Sequence, residues 1–249
     1  MTNVVPCLLA CLLGPHQCLA EEPLLLRVPA NCACGVGRNI LECYDPQPGD
    51  LVLFSYYKPL RNLIFFLAHS GGATHTALVV RRANGTLALL EAPGPKFPVM
   101  LSDLPSRFRA YQGRIWVRRL RTPLSPEQSA RLTAFACAQE GKPFSGTAVL
   151  ATLWGRPVRR PRMGCAGPEE LDPPAWFCSS LTAAAGIAAG VIDPCVSRPK
   201  TTDPEDLKSD RCLDLSACWA QPLRYQHCGP RLPGWCSESC CGQRAYWEE

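Results

Sequence analysis

The stretch HTALVVRRANGTLALLEA (residues 75–92) holds two β-rich runs, HTALVVRR at 75–82 and TLALLE at 86–91, on either side of Asn84-Gly85. Asn-Gly between two such runs is the strongest short-range hairpin signal, so two antiparallel strands are expected. Side chains alternate between the faces of a strand, so residues 77, 79 and 81 share the face of His75. Pairing about the turn sets Arg81 and Arg82 opposite residues near 86 to 88, and His75 falls close to Glu91 or just beyond it. One sheet edge would then carry an imidazole and a carboxylate able to fix its tautomer.

Outward from this hairpin, Pro48-Gly49-Asp50 opens a β-rich run, LVLFSYY (51–57), and FPVM (97–100) and GRIWVRRL (113–120) are two further strand candidates. PLRNLIFFLAHS (59–70) has the content of a short helix ended by Gly71-Gly72. SPEQSARLTAFACAQEG reads as a helix with Ser125 at the N-cap, Pro126 at the first position, Glu127 in the first turn and Gly141 past the end. Its apolar positions, Ala130, Leu132, Phe135, Ala136 and Cys137, set Cys137 on or near the buried face. Residues 151–174, rich in Pro, Gly and Arg, read as an insertion loop.

The balance of 26 basic to 21 acidic residues is dispersed, and its densest stretch, Arg156, Arg159, Arg160 and Arg162, lies among prolines. No aromatics interleave with those arginines and no zinc-finger or P-loop spacing occurs, which argues against a nucleic-acid partner. Residues 1–20 read as a signal peptide, with Cys18 and Ala20 at the minus-three and minus-one positions, and Leu8-Leu9-Ala10-Cys11 offers a lipobox alternative. Elsewhere no apolar run approaches the roughly 20 residues of an integral membrane span. Loss of Cys7, Cys11 and Cys18 with the leader would leave thirteen of the sixteen cysteines, an odd number that fits a secreted or lumenal chain with one thiol kept free. A cysteine-containing lead-in spans 21–47, where Cys32-Ala33-Cys34 reads as disulfide-forming rather than metal-binding. From Cys212 six cysteines fall within thirty residues, so cross-links are expected to hold that segment. No metal or cofactor is expected.

AWFCSSLTAAAG (175–186) puts Cys178 at the mouth of a small-residue helix running to about residue 190. Unpaired N–H groups and the positive end of the helix dipole favour a thiolate there, and could also hold the oxyanion of a tetrahedral intermediate. The bland alternative is a buried small hydrophobe. Of the four histidines, His16 lies in the leader, His227 in the tail and His69 at a helix end, which leaves His75 as the candidate base. Glu91 reads equally as a strand-end charge, and Asp50 as a turn residue. Asn84-Gly85-Thr86 is also a glycosylation sequon, although the hairpin already accounts for it.

Five segments together carry a family resemblance: GDLVLF (49–54), THTALVV (74–80), LLEA (89–92), GKPF (141–144) and WFCSSL (176–181). In this order they resemble the permuted NlpC-type papain-like amidases of bacteria and poxviruses, over residues 48–210, with TTDPEDL (201–207) similar to that family's closing segment. The resemblance implies His75 as base, Glu91 as its orienter and Cys178 as nucleophile. Ser180 stands where the family commonly has an acidic residue, and Phe177 where tyrosine is frequent. Residues 211–249 are similar to ShK toxin-like modules, though Cys240 and Cys241 are adjacent instead of spaced. The fold expected is α+β, a permuted papain-like domain with an antiparallel sheet packed on helices, plus a small disulfide-rich C-terminal module. The activity expected is hydrolysis of an amide in a peptide, a cell-wall fragment or a lipid amide. The alternatives are an acyltransferase of the same fold, a secreted binding protein without turnover, and a redox protein using Cys240-Cys241.

Overall fold

Gly85 takes a left-handed φ of 85°, which glycine adopts without strain, and the hairpin closes there with Arg81 opposite Leu87 and Ala77 opposite Glu91. The computed structural model describes residues 23–29, 39–55, 72–146, 165–211 and 213–227. The expected leader, the Cys32-Ala33-Cys34 motif, the 59–70 helix with His69, the arginine-rich stretch, Cys212 and the cysteines from 228 onward lie outside them.

The strands are β1 (Leu25–Pro29), β2 (Asn39–Cys43), β3 (Leu51–Ser55), β4 (His75–Arg81), β5 (Leu87–Glu91), β6 (Met100–Asp103), β7 (Arg114–Arg118) and β8 (Leu223–Gln226). They form one eight-stranded sheet, in the order β2-β1-β8-β7-β3-β4-β5-β6, and every pairing is antiparallel. The described helices are α1 (Leu104–Ala110), α2 (Pro126–Gln139), α3 (Pro168–Leu171), α4 (Cys178–Ala188) and α5 (Pro204–Lys208).

This corrects the expected fold class. Among the described residues, a single eight-stranded antiparallel sheet with few helices is richer in sheet than a papain-like α+β domain. Leu223–Gln226, from the stretch expected to form a separate cysteine-rich module, is an interior strand between β1 and β7. The reason is burial: Tyr225 packs with Phe108 and Val117 in the same apolar layer as Leu24 and Leu26. The lead-in, read as loop, supplies β1 and β2.

Both faces of the central strands are covered, so β3 and most of β4 are buried throughout. Leu51, Leu53, Leu78 and Val80 face a layer that includes Leu132, Ala136, Trp176 and Leu181 from α2 and the α4 region. Val52, Phe54, Ala77 and Val79 face a second layer with Leu104, Phe108 and Tyr111, the 104/108/111 spacing of one helical face. In α2, Ser125 caps the helix by accepting from Gln128 N–H (3.2 Å), while Gln128 Oε1 accepts from Ser125 N–H (2.9 Å). Its buried positions are Leu132, Ala136 and Gln139, and Cys137 is exposed, contrary to expectation. One residue is about 100° of helix turn, so Ala136 facing the sheet turns Cys137 away from it.

Arg118 is fully buried on β7 and binds the C-terminal segment. It donates to the carbonyls of Leu207 (3.0 Å) and Ala220 (2.9 Å) and pairs with Asp210 (2.9 Å). Through it α5 is held against the sheet, and Glu205 of α5 accepts from Ala73 N–H (3.4 Å) just before β4 begins.

Candidate active site

Trp176 and Phe177 fix where the α4 helix starts. Trp176 N–H donates to the Pro143 carbonyl (3.0 Å), its carbonyl accepts from Ser145 N–H (2.7 Å), and its indole donates to Gln139 Oε1 (2.9 Å). GKPF and WFCSSL, far apart in sequence, are therefore neighbours in space. Phe177 is the N-cap, in extended conformation. Ser180 Oγ accepts from Phe177 N–H (3.2 Å) and donates to Phe177 O (2.8 Å), so the serine at the expected acidic position ties the helix start to itself. Ala183, Ala184, Ala185 and Gly186 are buried, and the small side chains let the helix lie close to the sheet. A Cβ on Gly186 would stand 2.7 Å from Ile192 Cδ1. Thr182 meets Thr76 (Oγ1 to Oγ1, 3.0 Å) and Ser179 donates to Thr202 O (2.9 Å), which leaves Cys178 at the tip beside the start of β4.

A disulfide between Cys165 and Cys195 brackets this helix, and the ion pair of Arg198 with buried Glu170 ties the chain just beyond Cys195 back to the closed loop. Closing a loop of that size restricts the unfolded chain by about 3–4 kcal/mol. Replacing both cysteines with serine is expected to lower the unfolding free energy by about that amount, read from denaturant midpoints at unchanged m. A loss below about 1 kcal/mol would mean the clamp is redundant.

His75 and Glu91 meet as diagonal neighbours across β4 and β5. Glu91 is registered opposite Ala77, and His75 lies two residues back on the same face. His75 Nε2 is 2.8 Å from Glu91 Oε2, with both residues buried at 5% and 1% exposure. This engages Nε2 and leaves Nδ1 as the other ring nitrogen, and Cys178 lies close enough to the imidazole for each to shift the pKa of the other. The two partners come from opposite layers. His75 shares its face with Phe54, whose ring it touches (centroids 5.4 Å apart), while the helix bearing Cys178 packs against Thr76 on the other face. They meet because β4 begins at His75, at the sheet margin.

The electrostatics follow from this convergence. Burial alone would push the His75 pKa down, but hydrogen bonds and charges from Cys178 and Glu91 outweigh it and raise it from 6.5 to about 9. Burial would raise the Glu91 pKa, and contacts with His75 and then Arg107 instead lower it to about 2. Burial would likewise raise the Cys178 thiol. His75, followed by the N–H groups of Thr76 and Ser179, brings it below its ordinary value. Cys178 is half-buried, so part of its surface reaches solvent.

Cys178, His75 and Glu91 are thus brought together. Asp50 stands elsewhere and has a structural job: it accepts from Tyr44 Oη (2.9 Å), Gln47 N–H (3.1 Å) and Leu120 N–H (3.0 Å). Two residues were missed. Ser102 Oγ donates to Glu91 Oε1 (2.5 Å), and Arg107 donates to the same carboxylate from Nε (2.9 Å to Oε1) and Nη2 (3.2 Å to Oε2). The sequence signalled the helix that carries Arg107, since Asp103 caps α1 by accepting from Ser106 N–H (2.9 Å) and Pro105 sits in the first turn, but not the partner of its side chain. Ser102 lay past the end of FPVM, of which only Met100 is in a strand. Among the described residues, no group of three or more His, Cys, Asp or Glu side chains could hold a metal ion. Among them also, no helix is long and apolar enough to cross a membrane.

No family model and no curated protein matches the chain. Among solved structures, the crystal structure of the metalloprotein yiiX from Escherichia coli O157:H7, a DUF1105 protein, is 20% identical. It covers 72% of this chain and 88% of that one, at a TM-score of 0.43.

Proposed function

We propose that this chain is a thiol hydrolase that cleaves an amide, in a peptide or an N-acyl group, with Cys178 as nucleophile, His75 as base and acid, and Glu91 as the group that orients the imidazole. The observation that carries this reading is the convergence of Cys178 and Glu91 on one imidazole: His75 Nε2 lies 2.8 Å from Glu91 Oε2, and the same ring lowers the pKa of the Cys178 thiol, whose residue is partly exposed. The order histidine, carboxylate, cysteine is the one implied by the resemblance to the NlpC-type amidases, a likeness of site order and not of fold.

The thiolate attacks the carbonyl carbon, and the negative oxygen of the tetrahedral intermediate is met by N–H groups at the helix tip. The C–N bond breaks as the imidazolium gives its proton to the departing amine, leaving a thioester on Cys178. Water then attacks with its proton passing to His75, the C–S bond breaks, and the acid leaves with the thiolate restored. Candidate substrates are peptides, cell-wall fragments and lipid amides. Secretion belongs to the same proposal and is supported by the Cys165–Cys195 disulfide, since such bonds persist in oxidising compartments.

Alkylation tests the reading. Iodoacetamide at pH 6 is expected to label Cys178 about tenfold or more faster than a model thiol, and Cys178→Ala to abolish reaction with an amide-directed covalent probe. Labelling of Cys178 no faster than the model thiol sinks it. Profiling against peptidoglycan fragments and N-acyl lipids then sorts the substrate classes.

A further inference from the structure

Resting on the thiol-hydrolase reading, we propose that Arg107 is a positioning residue: its guanidinium, seated across both oxygens of Glu91 and over the Phe54 ring that touches His75, fixes the charge and the angle that the carboxylate presents to the imidazole. Arg107 Nε lies 2.9 Å from Glu91 Oε1 and 3.3 Å from Oε2, and Nη2 lies 3.2 Å from Oε2. A two-nitrogen grip on a carboxylate sets its orientation as well as its charge. The same guanidinium stands 5.0 Å from the centroid of Phe54 and 5.2 Å from that of Tyr111. Phe54 and Glu91 both touch the His75 ring, so Arg107 holds two of the groups that fix it.

Neutral donors would suffice to satisfy the lone pairs of Glu91, and Ser102 already supplies one. What a guanidinium adds is charge. With sulfur and carboxylate both ionised, His75 alone would be one cation between two anions; Arg107 makes the cluster two and two. Among the described residues, the ionisable groups set around His75 are Cys178 from α4, Glu91 from β5, Arg107 from α1 and, against Phe54, the Tyr111 phenol. Beyond Ala73 stands the Glu205–Lys208 pair of α5 (3.7 Å). Arginine keeps its charge across the working range, so its removal favours the protonated form of both sulfur and imidazole.

The experiment is the pH profile of Cys178 alkylation in Arg107→Gln and Arg107→Lys, with His75 followed by NMR in the same full-length variants. Its resonance is identified by its absence in His75→Gln. In Arg107→Gln both limbs of the profile and the His75 midpoint are expected to move up by about half a unit to one unit. In Arg107→Lys, which keeps the charge and loses the fork, the limbs are expected to stay while the plateau rate falls severalfold. This second variant carries the test if the glutamine protein does not fold. Limbs displaced alike in both variants, or a lysine variant with an unchanged plateau, would overturn the proposal. An unmoved His75 midpoint in Arg107→Gln overturns the role of Arg107 alone, whereas a wild-type Cys178 no faster than a model thiol overturns the hydrolase reading.

Discussion

Replacing Glu91 with alanine is expected to lower the stability of the fold by about 3–5 kcal/mol, the range for removing one partner of a buried ion pair. Glu91 is 1% exposed and accepts from His75, Ser102 and Arg107. Without it, a guanidinium and an imidazole share one apolar layer and have lost their common anion. Glu91→Gln keeps the shape, but its amide turns donors toward donors, so a smaller loss of about 1–3 kcal/mol is expected. The pH dependence gives an independent check. The Glu91 pKa is lowered from 4.5 to about 2, so its contribution is present above 4.5 and is lost as pH falls through 2. The stability gap between wild type and Glu91→Gln should therefore close across that window, losing most of its about 1–3 kcal/mol, and stay constant from there to pH 6. Urea titrations at pH 2.5, 4 and 6 measure this. A gap independent of pH, or an alanine variant that loses less than 1 kcal/mol, would show that Glu91 is not held as a buried carboxylate.

The hairpin that presents Glu91 was legible because its turn and both its strands are local. Asn84-Gly85 fixed the register to within a residue, and the diagonal placing of His75 against Glu91 followed from it. The α2 cap was legible for the same reason. What escaped was short or distant. β1, β2 and β8 have five, five and four residues with no Asn-Gly turn to mark them, and they lie in stretches where closely spaced cysteines draw the reading. That density suggested a cross-linked module, yet β8 is held by Tyr225 packing in the sheet. Arg107 escaped because its partner lies sixteen residues away, and the contact exists only once β6 and α1 turn back over β5. Sequence could offer His75, Glu91 and Cys178 as suitable types. Their meeting depends on β4 beginning where the α4 helix tip reaches the sheet margin, which is a property of packing.

Removing His75 should slow alkylation of Cys178 at pH 6 by on the order of a hundredfold. In His75→Ala the largest remaining influence on the thiol is burial, which pushes its pKa up. An ordinary thiol with a pKa of about 8.5 is about 0.3% ionised at pH 6, so a sulfur held wholly as thiolate would lose roughly 300-fold in ionised fraction on return to that value, and burial adds to the loss. The more basic thiolate left behind is intrinsically faster, with a Brønsted slope of about 0.4–0.5, and recovers part of this. The defect should shrink as pH approaches 9. Linkage supplies a second signature. His75 is raised from 6.5 to about 9, so its contribution to stability is complete below 6.5 and is lost as pH rises through 9. Cys178 is lowered from 9.0, so its contribution is complete above 9 and is lost as pH falls through its folded value. Between 6.5 and 9 the unfolded chain keeps the thiol proton and the native ion pair keeps the imidazole proton. Each state holds one, so the pair contributes no slope. Cys178→Ala removes the strongest of the influences that hold the imidazole pKa up, so the His75 midpoint in that variant, followed by NMR, is expected to fall below about 9. An unmoved midpoint would mean that the native sulfur carries its proton, and the nucleophile would then lack the anionic form on which the chemistry depends.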